Sequence, residues 1–125
     1  MTADFEASRP IYIQIVYKIL LQIARHERSA GEKLPSVREM AISLGVNPNT
    51  IQRTYGELER MQVVETKRGQ GTFITENRAV LDAMVKKLQR ETIDLFVANM
   101  KELGISEDKM VDELKKYLMK KEGGI

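Results

Sequence analysis

Cysteine is absent and histidine occurs once, as His26, so the chain offers no disulfide framework and no thiolate metal site. The lone His26, without a second histidine or cysteine to share a metal, reads as structural or solvated. Absence of cysteine fits a reducing cytoplasm, which is the expected compartment. No apolar run approaches the roughly 18 residues that cross a bilayer. The N-terminus also lacks the basic-then-apolar layout of a secretory leader, and no membrane role is expected. Nor is there a large charge of one sign: 20 Lys+Arg stand against 18 Asp+Glu, a net charge of +2. Residues 1–76 carry 10 basic and 9 acidic side chains, and residues 77–125 carry the same 10 and 9. An anionic partner must therefore be met by local placement of charge. No nucleophile–base set, phosphate-cradling glycine loop or metal-ligand cluster can be assembled, so neither an enzyme nor a cofactor is expected. Repeats, low-complexity segments and long linkers are missing too.

What is present is an ordinary globular composition, 42% hydrophobic and 30% charged, in 125 residues. That length closes one modest core, or a small domain with an appendage. Tyr12, Ile15, Val16, Ile19, Leu20 and Ile23 recur at steps of three and four, predicting a helix over Pro10–Arg28 that ends at Ser29-Ala30-Gly31. Ser36 and Glu39 have capping-box spacing ahead of a Val37, Met40, Ala41, Leu44 stripe, and Gly45 closes this short second helix. Asn47 as N-cap with Pro48 behind it starts a third helix almost at once. Its buried face is Ile51, Tyr55, Leu58 and Met61, which leaves Asn49, Gln52, Arg53, Gly56 and Arg60 pointing outward. Two helices joined by so tight a turn must cross steeply, as in a helix-turn-helix.

Val63–Thr66 and Thr72–Thr75 are β-prone, and Lys67-Arg68-Gly69-Gln70-Gly71 between them supplies hairpin glycines and two cations at the tip. A basic hairpin directly after the third helix is the wing of a winged helix. From about Asn77 helical periodicity resumes through Leu81, Met84, Val85, Leu88, Leu95, Phe96, Met100 and Leu103, a helix roughly 40 Å long at 1.5 Å per residue. Gly104 breaks it, and a last helix from Ser106 carries Met110, Val111, Leu114, Tyr117 and Leu118 on one side. The tail Glu122–Ile125 is expected to fray. The expected fold is mainly α with a small β-hairpin: a winged helix-turn-helix over 1–76 and a two-helix dimerisation domain over 77–125.

The stretch from Pro10 to Ile74 resembles the DNA-binding domain of the GntR family of bacterial regulators. The likeness rests on Pro10-Ile11-Tyr12 with Gln14-Ile15, Lys33-Leu34-Pro35-Ser36 with Arg38-Glu39, and Leu44-Gly45-Val46-Asn47-Pro48. It continues through Thr50, Arg53, Tyr55, Leu58-Glu59 and Gly69-x-Gly71-Thr72-Phe73. The short two-helix C-terminal part is similar to the YtrA-type subfamily. Two departures stand out: Ala30-Gly31 replaces the usual Pro-Gly pair, and Pro48 sits where other branches place a basic residue. The resemblance implies DNA contact by Ser36, Arg38, Asn49, Thr50 and Arg53, and repression as the mode of control.

The residues themselves allow that chemistry. Arg53 can offer a fork to guanine, Asn47 and Asn49 can donate or accept near the helix start, and Thr50 and Gln52 can reach phosphate or base. Lys67, Arg68 and Gly69 would enter or flank the adjacent minor groove. Plainer roles stand beside these: Asn47 and Ser36 as caps, Arg53 as a partner of Glu57 one turn on, and the wing glycines as turn formers. The terminal helices expose an apolar stripe that so short a segment cannot enclose, so Leu81, Met84, Leu88, Leu95, Phe96, Met100, Leu114 and Leu118 are expected to pack against a second copy. The expected partners are double-stranded operator DNA of near-palindromic sequence and a homodimer mate, with an unidentified small-molecule effector left open. The competing reading is a protein-interaction module that uses the winged helix only as a scaffold.

Overall fold

In the computed structural model, residues 5–122 are described, without the side chains at 121 and 122; of the tail expected to fray, Glu122 is the last residue of a helix and 123–125 lie outside the described residues. The elements in order are α1 (Ile11–Ala24), α2 (Val37–Leu44), α3 (Pro48–Arg60), β1 (Val64–Lys67), β2 (Gly71–Ile74), α4 (Arg78–Glu102) and α5 (Glu107–Glu122). The winged helix-turn-helix and the two helices after it are thus as the periodicity predicts.

Helix α1 buries Ile15, Val16, Ile19, Leu20 and Ile23, but stops four residues short of the expected Arg28. The reason is a left-handed His26 (φ 62°). Its N–H donates to the Ile23 carbonyl (3.0 Å), and the Glu27 N–H donates to that of Gln22 (2.8 Å), the paired reverse bonds of a Schellman closure. The same pair of bonds closes α2 at Gly45, α3 at Gln62 and α4 at Gly104, all with positive φ.

Helix α2 starts on a complete capping box: the Ser36 N–H donates to Glu39 Oε1 (2.9 Å) and the Glu39 N–H donates to Ser36 Oγ (3.1 Å). Helix α3 packs against α1, α2 and β1, with Ile51, Thr54, Tyr55 and Leu58 buried. Sealing side chains such as Ile15, Ile51 and Leu58 away from water contributes about 1.5–3 kcal/mol each. Two polar groups in this core find partners. Thr54 Oγ1 donates to the Thr50 carbonyl (2.9 Å). The Tyr55 hydroxyl donates to the Pro35 carbonyl (2.7 Å), tying the loop before α2 to α3.

The hairpin pairs antiparallel with Val64 opposite Ile74 and Lys67 opposite Gly71, one residue later in β1 and one earlier in β2 than expected. Residues 31–34, between the first two helices, lie along the free edge of β2. The Gly31 N–H donates to Ile74 O (2.9 Å), Leu34 N–H to Thr72 O (2.8 Å) and Ile74 N–H to Glu32 O (2.8 Å). The wing is therefore anchored at its base on both sides.

The chain divides into two compact units between Val85 and Lys86. That is nine residues beyond the expected end of the head at Glu76, because Leu81 and Met84, each only 8% exposed, are buried on the first turns of α4. In the second unit Met110 is buried, whereas Leu95, Phe96, Leu103, Val111, Leu114, Tyr117 and Leu118 are exposed. Leu88 and Met100 are half-buried. No helix among the described residues is long and apolar enough to cross a membrane.

Candidate nucleic-acid interface

The outward face of α3 begins at its cap. Asn47 Oδ1 accepts the Asn49 N–H (2.7 Å), so the capping role is filled, and the Asn47 amide nitrogen lies outside that bond. Asn49, Gln52, Arg53 and Gly56 are exposed along the helix, and Thr50 is half-buried. The plain alternative for Arg53, an ion pair with Glu57, is not made. Glu57 is occupied by Arg60, whose guanidinium donates to both of its carboxylate oxygens. This hydrogen bonding holds the Glu57 carboxyl below the usual carboxylate range. Among the described residues no carboxylate pairs with Arg53; its guanidinium rests over the Tyr12 ring, 4.1 Å from the centroid. Pro10, Ile11, Tyr12, Asn49, Thr50 and Arg53 line a shallow concavity of about 330 Å³.

The wing and the start of α2 form a second concavity, of about 580 Å³, to which Lys33, Ser36, Tyr55, Lys67, Arg68 and Gly69 contribute. Here Lys67 Nζ lies 4.8 Å from the centroid of the Phe73 ring, which props the ammonium beside the hairpin. Gly69 turns the tip with φ 77°, and nothing lies within 4 Å of where its Cβ would be, so conformation rather than space selects glycine there. At Gly71 conformation again selects glycine, with φ 122°, since the one close atom a Cβ would meet, Lys33 Cε at 2.8 Å, is on the movable end of a lysine side chain. The one acid lining this concavity is Glu39. Its carboxyl is held below the usual range because it accepts the Ser36 N–H.

Charge is thus segregated although the total is small. Lys33, Arg38, Arg53, Lys67 and Arg68 are exposed on the α2 start, the α3 face and the wing. A third concavity, of about 380 Å³ and lined in part by Glu59, Gln62, Glu65 and Asn77, has no lysine or arginine in its wall.

Every residue expected from sequence to face DNA lies in the first compact unit. Ser36, Lys67, Arg68 and Gly69 meet at the wing concavity, and Asn49, Thr50 and Arg53 at the α3 concavity. Arg38, Asn47 and Gln52 are exposed on the same elements but line neither. Tyr12 and Lys33 were not expected among them. The three-four spacing assigned Tyr12 to the core, and only the pairing of 31–34 with β2 reveals where Lys33 lies.

Comparison with known proteins shows the family. The family described as "Bacterial regulatory proteins, gntR family" matches residues 11–74. The HTH-type transcriptional regulator YhcF of Bacillus subtilis is 51% identical, over 99% of this chain and 100% of its own length. The HTH-type transcriptional repressor YtrA of the same organism is 34% identical, over 97% of this chain and 94% of its own. Among solved structures, a GntR family transcriptional regulator from Listeria monocytogenes superposes with a TM-score of 0.85 at 40% identity, covering 90% of this chain and 98% of that one.

Proposed function

We propose, from the premise that this chain belongs to the gntR family of bacterial regulatory proteins, that it is a homodimeric repressor of a near-palindromic operator. It is a DNA-binding transcription regulator with a winged helix-turn-helix. Which face meets the duplex, how many copies bind and what binding does to transcription are the proposal.

The observation that carries it is the Arg53 guanidinium, exposed on α3 with no carboxylate partner among the described residues, between an asparagine-rich helix start and a lysine–arginine wing. In this reading α3 lies in the major groove. There Arg53 forks onto guanine O6 and N7, while Asn49 and Gln52 reach neighbouring base edges. Thr50, Asn47, Ser36 and Arg38 hold phosphates at either side and set the register. Lys67 and Arg68 carry the wing to the next minor groove, where Gly69 lets the backbone come close.

A second copy supplies the second half-site. The exposed apolar residues of α4 and α5 are what a two-fold mate would cover, led by Leu95, Phe96, Leu114 and Leu118, with Leu88 and Met100 at the margin. Leu81 and Met84, already buried in the single chain, would add little area. Repression is supported by the name of the YtrA relative, which covers nearly the whole chain, and occlusion of the promoter is the mode proposed for it. The work is done in the cytoplasm, without a catalytic step or cofactor, and any small-molecule effector would act by changing DNA affinity.

Fluorescence anisotropy with the DNA upstream of the chain's own gene tests the reading. Tight binding that weakens steeply as salt rises is expected, because each phosphate neutralised releases condensed counterions. Affinity indifferent to salt would contradict it.

A further inference from the structure

We infer that Tyr12, on the first turn of α1, is a positioning residue for base readout: its ring holds the Arg53 guanidinium ready to meet a base edge. This rests on the reading of Arg53 as a base contact and goes beyond it, since the residue comes from a helix that carries none of the other proposed contacts.

The reasoning begins with how arginine can be held. A free arginine side chain loses rotamer entropy when fixed, so an arginine held in place beforehand binds at smaller loss. An ion pair would restrain it but occupy the N–H donors that reading guanine requires. Contact over an aromatic face uses the π surface of the cation and leaves those in-plane donors open. Here the carboxylate one turn along, on Glu57, is taken by Arg60, and the guanidinium lies over Tyr12 instead.

Tyr12 is itself held. Its backbone carbonyl packs 3.4 Å from Oγ1 of Thr54, a fully buried threonine on the same helix as Arg53 whose hydroxyl proton goes to the Thr50 carbonyl. Two residues further along α1, the buried Gln14 grips the segment that precedes it. Gln14 Nε2 donates to the carbonyls of Glu6 (2.7 Å) and Arg9 (2.9 Å), and Gln14 Oε1 accepts the Glu6 N–H (2.8 Å). The ring is therefore placed by the packing of α1 on α3. The Tyr12 hydroxyl makes no hydrogen bond to another described side chain, so the ring face is the part that acts.

The test is a double-mutant cycle on the full-length chain, titrated against its operator and against a duplex of scrambled sequence. Tyr12→Leu is expected to weaken operator binding by roughly three- to ten-fold and to leave scrambled-duplex binding within two-fold, which matches the range of such cation–ring contacts. Tyr12→Phe, which keeps the ring, should bind like the parent. In an Arg53→Ala background Tyr12→Leu should have no further effect on the operator. Equal losses from Tyr12→Leu with and without Arg53, or equal losses on both duplexes, would overturn the positioning role and leave Arg53 as reader intact. So would a Tyr12→Phe variant as weak as Tyr12→Leu. If Arg53→Ala alone left operator preference unchanged, the reading of Arg53 would fail first and this inference with it. Thermal melting of Tyr12→Leu within a few degrees of the parent separates these outcomes from loss of fold.

Discussion

The Tyr55 hydroxyl is the residue through which the helix-turn-helix is locked to the chain before it. Tyr55→Phe leaves the Pro35 carbonyl without its donor and should lower stability by about 1–2 kcal/mol, read from urea or thermal unfolding. Burial pushes the phenol up to about 12, above its ordinary value near 10. The neutral form is thus favoured by folding, so this contribution is whole below pH 10 and is lost as pH rises towards 12. Tyr55→Phe should lack that alkaline fall. Ser36 and Glu39 respond at the other end of the scale. Because accepting the Ser36 N–H depresses the Glu39 carboxyl, its stabilisation is present above the ordinary carboxylate pKa and fades as pH drops below it. Ser36→Ala should cost about 1 kcal/mol at neutral pH. Ser36→Ala keeps the backbone N–H that Glu39 accepts and should retain the fall in acid, whereas denaturant melts of parent and Glu39→Ala should converge on acidification; a gap that widened in acid would count against the cap.

At the scale of the element, four helices end on the same closure, but only two of them use glycine. Gln62 stands left-handed at the junction where α3 passes into the wing, a conformation that disfavours side chains with a Cβ by about 1–2 kcal/mol. Gln62→Gly should therefore stabilise the fold by up to about 1 kcal/mol once the greater freedom of glycine in the unfolded chain is subtracted. Differential scanning calorimetry decides it, and a lower melting temperature would show that the side chain contributes something the closure does not. The same two non-glycine stops mark where sequence reading ran short. Gln62 carries no strong local preference, so α3 was read through Met61, one residue past its end at Arg60, whereas both ends of α2 and the start of α3 were legible because Ser36, Gly45, Asn47 and Pro48 carry such preferences. His26 does not, so α1 was read through to Arg28. Residues 31–34 were missed as a third edge because their partners in β2 lie about 40 positions away and their composition marks only a turn. Outward residues of α3 were legible from 100° spacing, whereas the Tyr12–Arg53 contact depends on how two helices pack.

For the whole molecule, the division between Val85 and Lys86 leaves the polar, cationic face in one compact unit and most of the exposed large apolar residues in the other, with Ile11, Tyr17 and Ile42 the exceptions in the first. Continuous periodicity along α4 gave no sign that Leu81 and Met84 belong with the head. In the second unit Leu95 is 62% exposed and Leu118 is 50% exposed, more apolar surface than a lone helix pair keeps in water without reason. Leu95→Asp with Leu118→Asp should shift sedimentation mass from dimer towards monomer and weaken operator binding by ten-fold or more, since one head then binds one half-site. An unchanged dimer would move the interface elsewhere. The face of α3 itself is tested most directly by methylation protection of operator guanines, comparing the parent with Arg53→Ala at saturating protein. Protection of a major-groove guanine in each half-site, lost at that guanine alone in the variant, is expected. Identical protection by both proteins, or protection confined to the minor groove, would contradict the placement of α3 against the duplex.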